Sequence, residues 1–547
     1  MTIRGRVTDE NGAIVPGASV TAVLVETGVE RTVVTDAEGR FRLIELEPGV
    51  YTVRAEFTNF ATEEKTDLAT VSGQNVELNF TLRPAGVVAE QTVVSEADAP
   101  DVDTTRTVVG GTVTTEEIES LPVQSRSPLD LIFTLGGVTE EPLSTRDLAE
   151  DSPSAGPTAN TPEEAGSFSL SGGPAYSNNI TIDGMDNNDD RSARERFQPS
   201  LEAIEEVQVI TNQFSAEYGR ASGGRVNLRT RGGSNRYKGR GFYFFRNDIF
   251  NANTFRNNAL GIVRPPLEQH NPGFTFSGPI DLPRKLFGPF SYNGRGRTFF
   301  FLAYEYDTQF DTATINTFVP VRQNPLFALP APTNPNAAQQ ELGVPAPTPG
   351  EFVAPFIAGL STPFKNNIFT ARIDHKFNDL HNGSLLYQMG RITNLRQFGG
   401  GDRLAESLQA RTRNTDAISY SDNYVFSPRL VNQARFQYSS LTPAVEARGG
   451  ARPVVIIDVD VPEAGSSRTD SRTLVAGSST TGSTDRTETR YQFQDTLSFV
   501  AGSHSLKFGG DFQRITSTFI DLSDISGTFN FDSVTDFLAN QPSRFRQ

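Results

Sequence analysis

In the second half of the chain, apolar and polar side chains take turns. In "RTFFFLAYEYD", Phe300, Leu302, Tyr304 and Tyr306 fall on one side of an extended backbone, and Arg297, Glu305 and Asp307 on the other. In "NNIFTARIDHKF", Phe369, Ala371, Ile373 and Phe377 oppose Thr370, Arg372, Asp374 and Lys376. In "TRYQFQDTLSF", Tyr491, Phe493, Leu497 and Phe499 oppose Gln492, Gln494, Thr496 and Ser498. A period of two predicts strands. These runs are about 11 residues long with aromatics near their ends, whereas strands of soluble sandwiches are usually ~5–6 residues. One long apolar face and one polar face fit a wall between lipid and a wet lumen. About ten such strands are predicted, near 236–246, 270–281, 297–309, 313–321, 366–377, 382–394, 415–427, 429–441, 489–500 and 503–516. The Pro/Ala-rich 322–365 and the Ser/Thr/Gly-rich 442–488 are candidate external loops, since such barrels carry short turns at one end and long loops at the other.

The first half is patterned differently. Residues 1–84 hold short β-prone runs such as "TIRGRVTD", "ASVTAVLV", "GRFRLIEL" and "GVYTVRAEF". Turn pairs separate them: Asn11 with Gly12, Pro16 with Gly17, Glu38 with Gly39, Pro48 with Gly49. Together they predict a small β-sandwich. Residues 85–112 lack aromatics and carry net negative charge, so they read as a linker. One β-prone island interrupts it: Gln91, Thr92, Val93, Val94 and Ser95. Such an island can add to a partner's sheet edge through main-chain hydrogen bonds, dock within its own chain, or be plain linker. Residues 113–234 mix types. "TTEEIESLP" and "SPLDLIFTLGGV" carry helix start and stop signals. "SFSLSG", "NNITIDGM" and "GRVNLRTRGG" alternate as strands, and "PSLEAIEEVQVIT" reads as a short helix running into a strand. Residues 139–166 read as a loop.

Charge and aromatic content divide the chain at the same place. Up to residue 234 there are 38 acidic and 18 basic residues; the remainder has 27 and 31. Residues 1–235 hold 8 Phe and 3 Tyr, and the rest 32 and 10. With 547 residues and a net charge of −16, several domains are expected and nucleic acid is excluded as a partner. The absence of cysteine removes thiolate metal sites, disulfides and a cysteine nucleophile. No apolar run is long enough for a membrane helix, and the start shows no signal-peptide core.

"NNITIDGMDNNDD" is the densest candidate chemistry. As a calcium loop starting at Asp186, Asn188 and Asp190 fit, but Arg191 stands where glycine is required and Phe197 where glutamate is required. Arg191, Arg194 and Arg196 follow and can neutralise the carboxylates. No nearby histidine, lysine or nucleophile gives a carboxylate a catalytic task. Asp183 and Gly184 read as a hairpin turn. "EYGRASGGRVN" lacks the ending of a phosphate loop and reads as a turn before a strand. No catalytic residue, metal site or cofactor is expected.

Two resemblances then join these readings. "GRVTDENGAIVPGASV" and "TDAEGRFRL" before "LEPGVYTVRAEF" resemble the carboxypeptidase regulatory-like domain, a transthyretin-like sandwich that is not itself a peptidase. "ITIDGMDNND" followed by "EAIEEVQVITNQFSAEYGRASGGRVNLRTRGGSNRYKGRGFYFFRND" resembles the plug-to-barrel junction of TonB-dependent outer-membrane receptors, and the preceding sandwich points to their Oar-like group. The resemblance covers nearly the whole chain and implies a mainly β protein. It orders a sandwich at 1–84, a linker at 85–112, an α/β plug at 113–234, and the first part of a transmembrane antiparallel barrel at 235–547. It carries the TonB box onto Gln91, Thr92, Val93, Val94 and Ser95. Asp183, Gly184, Asp186, Glu217, Tyr218 and Gly219 become structural plug-motif residues. By the same analogy the complete barrel would have about 22 strands, so the chain is expected to be a fragment cut inside the barrel and lacking a signal peptide. Implied partners are TonB with its inner-membrane energising complex, outer-membrane lipid and an unidentified extracellular substrate. The implied function is energised import across a Gram-negative outer membrane, with sandwich and linker in the periplasm. Two alternatives are an outer-membrane adhesion or assembly protein of the same architecture and, third, a secreted array of β-modules.

Overall fold

A computed structural model describes the chain except for residues 86–92, 97–108, 141–167, 334–352, 397–401, 448–451, 463–468 and 479–483, parts of 254–265, and isolated positions at 124, 192–193, 213–214, 362, 408, 503 and 523. The N-terminal β-sandwich is built from turns that the sequence dictates. Asp9 Oδ1 accepts from the amides of Asn11 and Ala13, and Asp36 Oδ1 from those of Glu38 and Arg40. Such Asx turns hold the backbone so that a glycine can follow at positive φ. Gly39 has φ 68°, and a Cβ there would stand 2.8 Å from the Val7 carbonyl oxygen. One sheet joins Thr2–Asp9 to Arg40–Leu43, Asn75–Glu77 and Phe80–Leu82; the other orders Glu30–Val34, Ser19–Leu24, Gly49–Glu56 and Glu63–Thr70. Val7, Val20, Val53, Leu68 and Phe80 are fully enclosed between them. At about 1.5–3 kcal/mol for each such side chain, this core is enough to hold the sandwich.

Val93–Glu96 adds to that second sheet, parallel to Glu63–Thr70, with Val93, Val94 and Ser95 opposite Glu63, Glu64 and Lys65. Part of the island read from sequence is therefore a strand docked within the chain. Gln91 and Thr92 lie outside the described residues.

The α/β unit centres on a five-stranded sheet ordered Val109–Val113, Ile204–Asn212, Gly224–Thr230, Asn178–Ile182 and Met185–Asp186. Its one α-helix among the described residues, Thr115–Ser120, starts at a capping box formed by Thr114 and Glu117. The predicted helix of "SPLDLIFTLGGV" is a 3-10 turn, Pro128–Thr134. Leu129 and Ile132, three apart, eclipse on one buried face, which the i→i+3 geometry allows. The helix expected before the strand at 204 is likewise a single 3-10 turn, Leu201–Ala203.

Among the described residues, the last part is built on an antiparallel sheet of ten strands: Lys238–Asn247, Leu267–Pro279, Thr298–Pro320, Val353–Ser361, Phe364–Asn378, His381–Arg396, Gln409–Ser427, Leu430–Ala447, Thr484–Ala501 and His504–Asp521. Its burial is inverted relative to a soluble fold. The concave face keeps polar Thr370, Gln388, Gln437, Ser439 and Gln492 at 4% exposure or less, while Tyr387, Phe436, Phe493, Phe508 and Phe512 stand out from the convex face. A continuous exposed apolar belt needs an apolar solvent.

Two differences from the sequence reading stand out. The segments read as separate strands at 297–309 and 313–321 are one strand of 23 residues, Thr298–Pro320. At ~3.3 Å per residue it runs about 75 Å, far beyond the ~30 Å hydrocarbon layer. It therefore changes partner midway: Thr298 to Gln309 pair with Phe364–Asn378, and Thr312 to Pro320 with Val353–Ser361. The second difference concerns the candidate loops. Val353–Ser361 lies in the stretch read as one loop. Val454–Pro462 and Thr469–Gly477, inside 442–488, form a separate five-stranded sheet with Asp402–Arg403, Thr528–Phe531 and Arg544–Arg546. That sheet and the helix Val534–Leu538 close over Ile457, Val459, Leu474, Phe531 and Phe537. The long-connection end thus carries a folded module, whose core also takes in Val319 and Val353 from the outer ends of two barrel strands.

Candidate functional site

The α/β unit sits against the concave face of the long sheet, and charge joins the two. The hairpin between Asn178–Ile182 and Met185–Asp186 turns at Asp183 and Gly184, with φ 49° and 86°. Two successive positive φ values are what a tight two-residue hairpin demands. The Asp183 carboxylate accepts from the Thr230 amide at 2.9 Å and the Thr230 hydroxyl at 2.6 Å, and Arg372 of the long sheet stands 3.6 Å away. The turn is thereby tied both to its neighbouring strand and to the wall.

Beyond the hairpin the chain enters a buried ionic cluster. Asp189 receives both terminal nitrogens of Arg486, at 2.8 and 2.7 Å, with Arg413 at 3.4 Å. Asp186 is held by Arg220 at 2.7 Å and Arg490 at 3.2 Å. Asp190 accepts from Arg220 at 2.6 Å and also from Arg490. Arg196 pairs with Glu488, which Arg486 also contacts at 2.9 Å. The Asp186 amide donates to Gln492 at 3.0 Å. Arg486 and Arg490 are at most 2% exposed, and Asp189 is wholly enclosed. Burial by itself would raise the Asp189 carboxyl. The Arg486 hydrogen bonds and the charges of Arg413 and Arg486 outweigh it and hold Asp189 well below the ordinary carboxylate range.

A second junction lies on the other side of the unit. Arg126 donates to Glu305 at 2.9 Å, stands 3.3 Å from Glu202, and lies over the rings of Phe242 and Phe244. The connection between unit and sheet is close-packed: a Cβ on Gly233 would stand 2.5 Å from the Phe300 carbonyl oxygen.

Of the residues singled out in sequence, Asp183, Gly184 and Asp186 belong to this junction. Tyr218 lies elsewhere, under the Arg225 guanidinium at 4.0 Å, and Glu217 pairs with Lys507 at 3.2 Å. A Cβ on Gly219 would meet nothing within 4 Å. Of the three arginines expected to neutralise the aspartates, Arg196 takes part, and Arg191 lies over the Phe519 ring. Most of the neutralising charge comes from Arg413, Arg486 and Arg490, roughly 220–300 residues away in sequence. Their signal was present: Arg486, Glu488, Arg490 and Gln492 occupy alternate positions of one strand. The strand expected from alternation starts at 489, which puts Arg486 and Glu488 in the candidate loop 442–488; the structure extends it back to Thr484.

With every aspartate engaged by arginine or backbone donors, the cluster is a mechanical junction. Calcium titrated into the chain at neutral pH should show no stoichiometric site tighter than about 1 mM. A micromolar site by calorimetry would overturn that expectation.

Comparison with known proteins follows this layout. Residues 2–83 match the carboxypeptidase regulatory-like domain, and 101–226 the TonB-dependent receptor plug domain. Residues 229–547, more than half of the chain, match the outer membrane beta barrel domain. The chain belongs to the TonB-dependent receptors. A relative from Myxococcus xanthus, described as the TonB-dependent transporter Oar, is 30% identical over 220 residues, which are 40% of this chain and 19% of that protein. The crystal structure of the outer membrane transporter YddB from Escherichia coli superposes with a TM-score of 0.52 at 11% identity, covering 77% of this chain and 50% of that one. At that identity the likeness is one of fold. The receptor spans about half the length of that solved transporter and a smaller share of the curated relative. It is an outer-membrane protein of the Gram-negative type.

Proposed function

We propose that the receptor binds an extracellular substrate and imports it with energy relayed by TonB from the inner membrane. The ionic junction carries this reading. Buried charge pairs add to the apolar packing in holding the plug in one discrete seat, and a pull on the linker would have to break them together to release it. The sandwich and linker face the periplasm at the short-turn end, and the folded module at the other end faces outward, where substrate arrives.

The coupling segment is the island at 91–95, whose affinity for TonB comes from backbone hydrogen bonds. Proline removes a donor and fixes φ. Isothermal titration of the receptor with the periplasmic domain of its cognate TonB should show binding. Val93→Pro should weaken it tenfold or more, and deletion of residues 87–97 should abolish it. An adhesion protein of this architecture needs no such contact. Binding unaffected by the deletion, or absent in the unaltered receptor, would refute the import reading.

A further inference from the structure

The N-terminal sandwich is seated on the receptor at three of its loops. At the first, the Asn235 amide donates to the Glu26 carbonyl at 3.1 Å and its side chain to that of Thr27 at 3.0 Å. At the second, Asn382 donates to the Glu47 carboxylate at 3.2 Å, and Lys507 stands 3.1 Å from Glu45. At the third, the amide and hydroxyl of Ser72 both donate to Glu206 of the plug sheet, at 2.7 and 2.8 Å. The footprint therefore reaches the start of the first barrel strand, a turn in the middle of the wall, the last described strand of the sheet, and the plug between them.

The character of these contacts differs from that of the plug. The plug's apolar core includes Ile368 and Leu386 from the barrel wall, and its ion pairs with the wall are enclosed. Among the described residues, the buried core of the sandwich contains none beyond Leu82. What attaches it is polar and mixed in exposure: Lys507 is 41% exposed and Glu45 16%, while Glu206, which takes the Ser72 bonds, is enclosed. Exposed pairs of this kind contribute little each and are screened by salt, whereas enclosed pairs are screened much less. Polar interfaces between domains permit relative motion.

We propose that the sandwich is a releasable stopper over the short-turn mouth of the barrel, held by screenable polar contacts and set free while the plug remains locked. The linker gives the release an order, a point that rests on the coupling reading above. Val93–Glu96 is paired directly to the sandwich edge, so a pull there acts on the sandwich at once. Twelve residues separate Glu96 from Val109, where the plug sheet begins. Fully extended they span about 40 Å at most, and the sandwich, to which the pulled strand is paired directly, takes the load before the plug does. The stopper leaves first.

The receptor has no cysteine, so a pair can be introduced cleanly. Glu47→Cys with Asn382→Cys, in the whole chain in lipid bilayers, should be joined rapidly by a short bis-maleimide at low salt. In 1 M salt the rate should fall at least fivefold. Glu206→Gln should cause a similar fall at low salt, while protection of the plug from trypsin stays unchanged. A cross-linking rate insensitive to both salt and Glu206→Gln would show a fixed domain and overturn the proposal. Failure to cross-link at low salt would show that the sandwich is not seated, and would overturn it equally. Adding the periplasmic domain of TonB should slow cross-linking, and not in the Val93→Pro variant. If that domain binds without slowing the reaction, the order of release is wrong and coupling stands. If it does not bind, coupling fails and the salt series alone decides the stopper.

Discussion

Asp189→Ala should destabilise the locked plug by about 3–5 kcal/mol, the range found when one partner of a buried ion pair is removed. Arg486 loses both of its bonds to Asp189, and Arg413 loses its neighbour. Both guanidinium groups stay enclosed, Arg486 still beside Glu488 and Arg413 still bonded to the Glu195 carbonyl, so what is measured is chiefly the cost of buried charge that is only partly compensated. Hydrogen exchange in the hairpin strand Asn178–Ile182 should accelerate, and the denaturant midpoint for plug release should fall. Asp189→Leu combined with Arg486→Met should recover part of the loss, because it removes both charges together. A cost under about 1 kcal/mol for Asp189→Ala, the level of an exposed pair, would show that the plug is held by its apolar contacts alone. The pH dependence has a definite sign. A carboxyl held below its unfolded value contributes stability above that value, ~3.9 for aspartate, and loses it as pH falls from there toward the folded value. The Asp189 contribution to the lock should therefore be flat from about pH 5 to 8 and decline only in acid.

The second large effect is expected at the outward module. Phe531 is 1% exposed, packs edge-on against Phe537 at 5.3 Å between ring centroids and contacts Phe327 at 6.1 Å. Phe531→Ala should cost that module about 3–5 kcal/mol, the transfer term plus the cavity left behind. The core there is small and separate from that of the plug, so the loss should stay local. Exchange protection of Val454–Pro462 and Thr469–Gly477 should collapse, while that of the ionic junction and of the barrel strands away from Val319 and Val353 persists. Simultaneous loss of plug protection would show that module and barrel fold as one unit.

Much of this architecture was legible because period-two alternation is a local property. Phe369, Ala371 and Ile373 opposing Thr370, Arg372 and Asp374 needs only the pleat of one strand, and a wall with one apolar face follows from it. Turns were legible for the same reason: Asp9 with Gly12, Asp36 with Gly39, and Asp183 with Gly184 carry their own geometry in a few residues. Less was legible where short elements depend on neighbours. Val454–Pro462 carries a local strand signal in its Val and Ile run, but it and Thr469–Gly477 sit inside a Ser/Thr/Gly-rich stretch whose composition reads as loop, and only their pairing and shared burial show the module. The join of 297–309 with 313–321 was hidden because a change of partner at residues 310–312 leaves no break in the backbone.

The sequence by itself determined that the chain carries a sandwich, a mixed unit and a membrane wall, and that its aspartate run lacks the ligands of a calcium loop. Which arginines answer Asp186, Asp189 and Asp190 was decided only by the tertiary structure. A charge pair constrains distance in space and leaves sequence separation free, so Arg486 and Arg490 could be matched only once strand register had placed them on the concave face. The seating of the sandwich is of the same kind. Ser72 and Glu206, or Glu47 and Asn382, carry no signal of contact in each segment read alone, and they become partners only when the segments meet in space.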